Sequence, residues 1–294
     1  MEKLEKLLKH LEVLLKVEEE KLREAIEDEE EADLLIPLVE KLETSLAKLL
    51  RQQKNYILDS IDSFVSKDPL LLTSLITYLA QEVFPGDTFE QVMEKLMVDS
   101  LTEAVEILTS LHLQRIDPDL KFKKISPGTS LWIEAWATQI ASAMADNTHA
   151  AIAKIPLKEL EGGGNIDSVR SQIDEMTQFN RNRARLAALT EMLTANTASQ
   201  YESFIQTPAV VAKGWRHTHT GQTQRPHHVE LDGTEIPVTE YFTVGDEQGL
   251  YPRDTNLSRQ ERINCYCAMY PVIDDTLLEI PIEEKEEYQD QALE

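Results

Sequence analysis

Leucines recur every three to four positions through residues 2–33, at Leu4, Leu7, Leu8, Leu11, Leu14, Leu15 and Leu22 among Lys and Glu. That spacing predicts an amphipathic helix. Acidic residues dominate 27–33, so the stripe fades there. Pro37 suits the first turn of a second helix, which Leu38, Leu42, Leu46, Leu49, Ile57, Ile61 and Phe64 carry on. Residues 1–66 thus read as a charged helical hairpin or a coiled-coil arm. The heptads are too short-lived to choose between the two. Pro69 opens an apolar helix over 70–83, and Phe84-Pro85-Gly86-Asp87 is a turn. Thr88-Phe89-Glu90-Gln91 has the pattern of a capping box before a helix to about 112. Pro118, Pro127 and Gly128 break 115–129. A helix is expected from Ser130 to about Ile155, with Trp132 and Trp136 on one core-facing side. Gly162-Gly163-Gly164 predicts a hinge. Asn165 or Asp167 caps the next helix, to about 179, and 181–204 forms another around Ala184, Ala187, Ala188, Met192 and Ala195.

The period changes at 208. Pro208-Ala-Val-Val-Ala-Lys-Gly-Trp reads as a strand, and alternation persists to Thr218 before Gly, Pro and Asp become dense. Short strands are expected near 209–218, 234–238, 241–244 and 267–272. The fold class is therefore α+β: a mainly α-helical N-terminal two-thirds, then a small C-terminal α+β module of short strands and long loops. Four segments follow: the 1–66 arm, a 67–206 helical domain with its hinge at 162–164, a 207–273 His/Cys module and a 274–294 tail. That tail holds nine acidic residues against one Lys. It is expected to be mobile or to wait for a partner.

A net charge of −24 opposes nucleic-acid binding by the surface as a whole. Any DNA contact must be local and strongly salt-dependent. Two small basic sites are candidates for a partner or DNA contact: Lys121, Lys123 and Lys124 around Phe122, and Arg181 with Arg185 on one helix face. A solvated loop and a salt-bridged surface are the plainer readings. No run of about 18 apolar residues predicts a spanning helix. The opening Met-Glu-Lys-Leu-Glu-Lys lacks a signal-peptide core, so a cytoplasmic chain with no membrane role is expected. Two cysteines do not make a disulfide scaffold.

Chemistry concentrates in 213–267, which holds four of the seven histidines and both cysteines. On a strand, i and i+2 share a side. His217 can thus share a face with His219, and Cys265 with Cys267. His217, His228, Cys265 and Cys267 form a candidate four-ligand set suited to tetrahedral zinc, with His219 and His227 in reserve. Loops this rich in Gly and Pro bury little apolar surface, and a metal would offset their chain entropy. Cys-x-Cys is an unusual zinc spacing, however. In a metal-free alternative His228 bonds a backbone carbonyl and the cysteines pack as small apolar groups. Asp232 before Gly233 shapes a turn, and Asn264 caps backbone groups beside the thiolates. Catalysis is the third reading. His227-His228 with Asn264 faintly resembles a His-Asn-His nuclease, but no histidine follows the Asn. Cys265, His228 and Asp232 make a thiol-protease set, yet no helix is expected close after the Cys to lower its pKa. Gly162–164 lacks the Gly-Lys-Ser/Thr of a phosphate loop.

The order Trp215-x-His217-Thr, Arg225-Pro226-x-His228-x-x-Leu-Asp232-Gly233 and Ile-Asn264-Cys265-x-Cys267 resembles the phage head morphogenesis family, the Mu F-like minor head proteins. Arg183-Ala184 through Leu189-Thr190-Glu191 and Ala195-Asn196 is similar to that family's Arg-Ala…Ala-Arg-Thr-Glu helix. Leu189 stands where an Arg is common. The resemblance covers roughly 165–272. It implies a non-enzymatic minor capsid protein, multi-copy in the virion head and in the host cytoplasm during assembly. The implied partners are the portal protein, capsid or scaffold proteins and the DNA near its exit. Two alternatives stay open: a metal-dependent nuclease or peptidase in the module, and the carrier part of a phage-delivered toxin. The second would have only the acidic 274–294 to follow the module.

Overall fold

The computed structural model describes residues 26, 31–67, 72–217, 225–263, 265 and 267–294. The leucine stripe of 2–25, His219 and Asn264 lie outside the described residues. The longer described helices before the strands are α1 (Ala32–Lys67), α2 (Leu72–Tyr78), α3 (Phe89–Ile116), α4 (Pro127–Gly162), α5 (Ile166–Asp174) and α6 (Arg181–Ile205), with short helical turns at Leu79–Val83, Phe84–Gly86 and Thr177–Phe179 between them. No strand interrupts the described residues before 210, as the 3–4 spacing of Leu and Ala requires.

Boundaries differ from the sequence expectation where capping decides them. α1 starts at Ala32, so Pro37 falls in its second turn. The Glu31 carbonyl accepts the N–H groups of Leu34 and Leu35, both at 2.9 Å, and Asp33 suits the positive end of the helix dipole. Pro37 then costs one backbone bond near a terminus, where the ladder is already incomplete. At the start of α3 the side-chain acceptor is Asp87, one residue before the Thr88 pattern; its Oδ1 takes the Phe89 N–H at 3.0 Å. Ser126 caps α4 and Pro127 occupies its first turn, which moves that helix ahead of Ser130. α4 also outlasts the expected Ile155, carrying a buried Pro156 on to Gly162. The glycine triplet is a tight helix-to-helix turn, with Gly163 left-handed at φ 73° and Asn165 and Ser168 closing a capping box on α5.

The chain groups into two compact units that are discontinuous in sequence. One comprises Glu40–Ile107, Lys123–Ala195 and Asp290–Glu294. Its apolar core includes Ile57, Ile61, Leu75, Leu79, Ile152, Val169 and Ile173. Three polar anchors sit among its helices. Asp87 accepts from Gln53 at 2.7 Å and pairs with His149 at 2.8 Å. The Trp136 indole donates to Glu191 at 2.7 Å, while Trp132 is only half-buried. Arg183 donates to Thr148 Oγ1 and to the carbonyls of Met144 and Gln178. Arg183 and Glu191, both in the helix motif of the sequence, thus act as packing anchors. Arg181 pairs with buried Glu43 at 2.5 Å, the salt-bridged alternative.

The other unit comprises Met1–Val39, Leu108–Phe122 and Asn196–Gln289. It holds β1 (Val210–Arg216), α7 (Pro226–Glu230), β2 (Glu235–Pro237), β3 (Phe242–Val244), β4 (Glu247–Gly249), α8 (Arg259–Arg262) and β5 (Ala268–Ile273). β1 is the middle of an antiparallel sheet ordered β2-β1-β5, and β3 pairs with β4. Four of these strands match the expected segments. β4 was hidden because Glu-Gln-Gly has no apolar alternation. It exists through Gly245, whose φ of 61° with no positive φ at Asp246 fits the II′ turn that joins twisted strands.

The acidic tail is a correction. Residues 274–294 form α9 (Asp275–Leu278) and α10 (Ile282–Ala292). Lys285, the tail's one Lys, is buried and reaches Asp117 and Asp119, each at 2.9 Å. Buried Gln289 donates to the Lys121 carbonyl at 3.0 Å and to Gln206 at 3.1 Å. Charge counting along the chain missed a single cation that meets two carboxylates far away in sequence. Of the basic loop residues, Lys121 and Lys124 are exposed, and Lys123 pairs with Asp290 at 2.5 Å.

Candidate metal centre

β1 carries Trp215 into the interior and leaves His217 just past its end. Asp232 Oδ1 accepts the His217 N–H at 2.8 Å, and the Gly233 N–H donates to the Trp215 carbonyl at 2.8 Å. That chain reversal puts Gly233 at φ 74°, a conformation that Cβ-bearing residues rarely adopt. Asp232 therefore shapes the turn, as its place before Gly233 suggests. Pro226 opens α7, which turns His228 inward. Arg225 holds the far side by donating to the Ile263 carbonyl at 2.6 Å.

His228 meets both cysteines. Its Nδ1 stands 3.5 Å from Cys265 Sγ and 3.4 Å from Cys267 Sγ. Its Nε2 lies 2.8 Å from Glu261 Oε2. Ligand atoms of His228, Cys265 and Cys267 all fall within 4.8 Å of one another and can hold a metal ion. His228, Cys265 and Cys267 thus converge. His217, outside that three-residue group, meets it at Cys267, with Nδ1 3.5 Å from Sγ. His227 stays outside: it is exposed, with its ring beside Gly245. In the metal-free alternative His228 bonds a backbone carbonyl; here its partners are a carboxylate and two sulfurs.

The surroundings are apolar and close-packed. Trp215, Phe242, Val244 and Leu257 form one cluster with the two cysteines. The Trp215 ring meets the rings of His228 and Phe242 edge-on, with centroids 5.5 and 5.2 Å apart. The cysteines are each 2% exposed and His228 1%. A hydrogen bond from Cys267 holds the Cys265 thiol well below the usual range, against burial and helped by His228 and Arg253. The same bond and burial push the Cys267 thiol up.

Two positioning residues escaped sequence reading. Arg253 donates to the Cys265 carbonyl at 2.9 Å and to Thr197 at 2.8 and 3.0 Å, from a backbone at φ 69°. Nothing local marks it. Glu261 follows Ser258 by three, which reads as a helix-capping pair; its carboxylate instead serves His228. Nearby, Lys213 is wholly buried on β1. Its ammonium donates to the Val238 carbonyl at 2.6 Å and lies 4.7 Å from the Tyr201 ring centroid. Burial lowers it to about 8, with Asp254 and Glu240 pulling the other way.

The family model described as "Phage Mu protein F like protein" matches residues 150–270. A curated relative, "Uncharacterized protein YqbB" of Bacillus subtilis (strain 168), is 37% identical over 301 residues, taking in 100% of this chain and 99% of the relative. The chain belongs to the phage Mu protein F-like family. No solved structure matches it. The Mu F-like match begins within α4 and takes in α5, α6 and the module up to β5. It therefore includes both the helix with Arg183 and Glu191 and the complete His/Cys cluster. No described helix is long and apolar enough to cross a membrane.

Proposed function

We propose that this Mu F-like chain is a phage or prophage minor head protein acting in procapsid assembly, associated with the portal and with the exit of the packaged DNA. The observation that carries the reading is the family match over 150–270, which spans the inward-turned His/Cys cluster and its supporting helices. The work of such a protein is binding. The helices before 207 supply the partner surface, and the module serves as a rigid knob whose cluster holds a metal such as zinc. Burial of Cys265, Cys267 and His228 supports a structural role over a hydrolytic one, since an attacking thiolate or metal-bound water needs access to its substrate. Virion-head localisation and multiple copies follow from the same reading.

The test co-expresses the full chain with a phage portal protein. The portal is expected to co-purify with the full chain, and removal of 1–66 tells whether that arm contributes. Failure of the portal and of assembled procapsids to retain the full chain would overturn the reading. DNA retention is expected to be weak and to vanish as salt rises, given a net charge of −24.

A further inference from the structure

We infer that the module holds a closed, structural zinc site formed by the Nδ1 atoms of His217 and His228 and the Sγ atoms of Cys265 and Cys267, with Glu261 as the positioning residue that fixes His228. This rests on the reading of the cluster as a metal clamp and specifies its ligand atoms.

Ligand chemistry comes first. Two thiolates and two imidazoles are a soft, four-donor set that suits Zn²⁺. Distances come second. Zinc bonds of about 2.0–2.1 Å to nitrogen and about 2.3 Å to sulfur, at tetrahedral angles, set a nitrogen–sulfur edge of roughly 3.6 Å. Three such edges stand at 3.4, 3.5 and 3.5 Å. His228 and the two cysteines therefore already have the spacing that a shared ion imposes, and His217 has it to Cys267.

The tautomer comes third. Glu261 is 2.8 Å from His228 Nε2, and a carboxylate only accepts hydrogen bonds. The ring proton thus belongs on Nε2, which leaves the Nδ1 lone pair facing both sulfurs. A single N–H on Nδ1 cannot point well at two sulfurs at once, whereas one ion between them satisfies all three atoms. A carboxylate behind a ligating imidazole is a recurrent outer support of zinc sites. Arg253, on the Cys265 carbonyl, and Arg225, on the Ile263 carbonyl, hold the backbone that delivers the sulfurs.

His217 decides between a structural and a catalytic ion. Three protein ligands leave a position for water, whereas four close the site. His217 Nδ1 touches the cluster at Cys267 from outside the three-residue group, and a small shift of its ring toward the ion would fill the fourth corner.

The experiment uses the full chain, purified without chelator, then depleted and titrated with Zn²⁺ or Co²⁺ alone. The expected result is one zinc per chain, and with cobalt the intense visible bands of a tetrahedral site plus thiolate charge-transfer absorption. Cys265→Ser and His228→Ala should abolish binding. His217→Ala should weaken it and shift the cobalt bands toward a water-ligated site. Glu261→Ala should lower affinity by about tenfold or more, with Glu261→Gln restoring much of it through its amide oxygen. A folded chain that binds neither ion overturns both the metal reading and this inference. Zinc that binds with His217→Ala and Glu261→Ala both at wild-type affinity keeps the metal reading and overturns the inference. Circular dichroism of each variant separates lost binding from lost folding.

Discussion

At the residue scale the module depends on polar groups in a dry interior, and Lys213 is its clearest case. The ammonium is wholly buried against one carbonyl and aromatic faces. Its value of about 8 lies below the 10.5 of a free lysine. Between those values the unfolded chain binds more protons than the folded one, so stability rises with pH from about 8 to about 10.5. Below about 8 the full cost of the buried charge is present, of order 3 kcal/mol at most. Lys213→Met should flatten that rise, read as urea unfolding free energy at pH 7.5 and 9.5 beside the wild type, which cancels the contribution of the unfolded chain's thiols in the same range. An unchanged slope would show that Lys213 titrates as it does in the unfolded chain. Legibility at this scale was uneven. His217, His228, Cys265 and Cys267 stood out because His and Cys are rare in the chain. Glu261 and Arg253 did not, since Glu and Arg are common and nothing in their neighbours differs from a helix cap or a loop.

Elements show which ends are set locally and which by distant partners. Asp87 starts α3 and also takes Gln53 and His149. Burial raises its pKa, but bonds from His149, Gln53 and the Phe89 N–H outweigh that and hold it below the usual carboxylate range. Its contribution is therefore present above about pH 4 and is lost as pH falls through the lowered value. Asp87→Ala should cost about 2 kcal/mol by urea unfolding at neutral pH, from a lost cap and from buried Gln53 and half-buried His149 left short of a partner. A loss under about 0.5 kcal/mol, the range of an ordinary surface change, would contradict that role. Periodicity had marked α3 but not Asp87, because a turn Asp and a capping Thr look alike in sequence. The tail poses the same problem on a larger scale. Nine acidic residues and one Lys read as a mobile tail or a segment waiting for a partner, yet Lys285 meets Asp117 and Asp119 across more than 160 positions. Lys285→Ala should cost about 2 kcal/mol and free α10. A Glu-specific protease should then cut the variant at 283–287 faster than the wild type. Equal cleavage rates would show that α10 is held by something other than this pair.

For the whole molecule, the helices before 207 and the strands after it were legible because hydrophobic period is local: 3–4 spacing and alternation are each set within a dozen residues. The two compact units were not, since each is built from stretches far apart in sequence, and no period records which stretches meet. Family membership was legible through spaced rare residues, which lie inside the segment that the family model matches. The function proposed above is, at this scale, one of assembly. The most direct measurement is the amount of this chain in gradient-purified procapsids, by quantitative mass spectrometry, with head yield compared in the presence and absence of its gene. The account predicts that the chain sediments with the portal-containing heads in several copies, and that losing the gene lowers the yield of normal heads. A chain that stays at the top of the gradient, while heads form and package normally without it, would contradict the account.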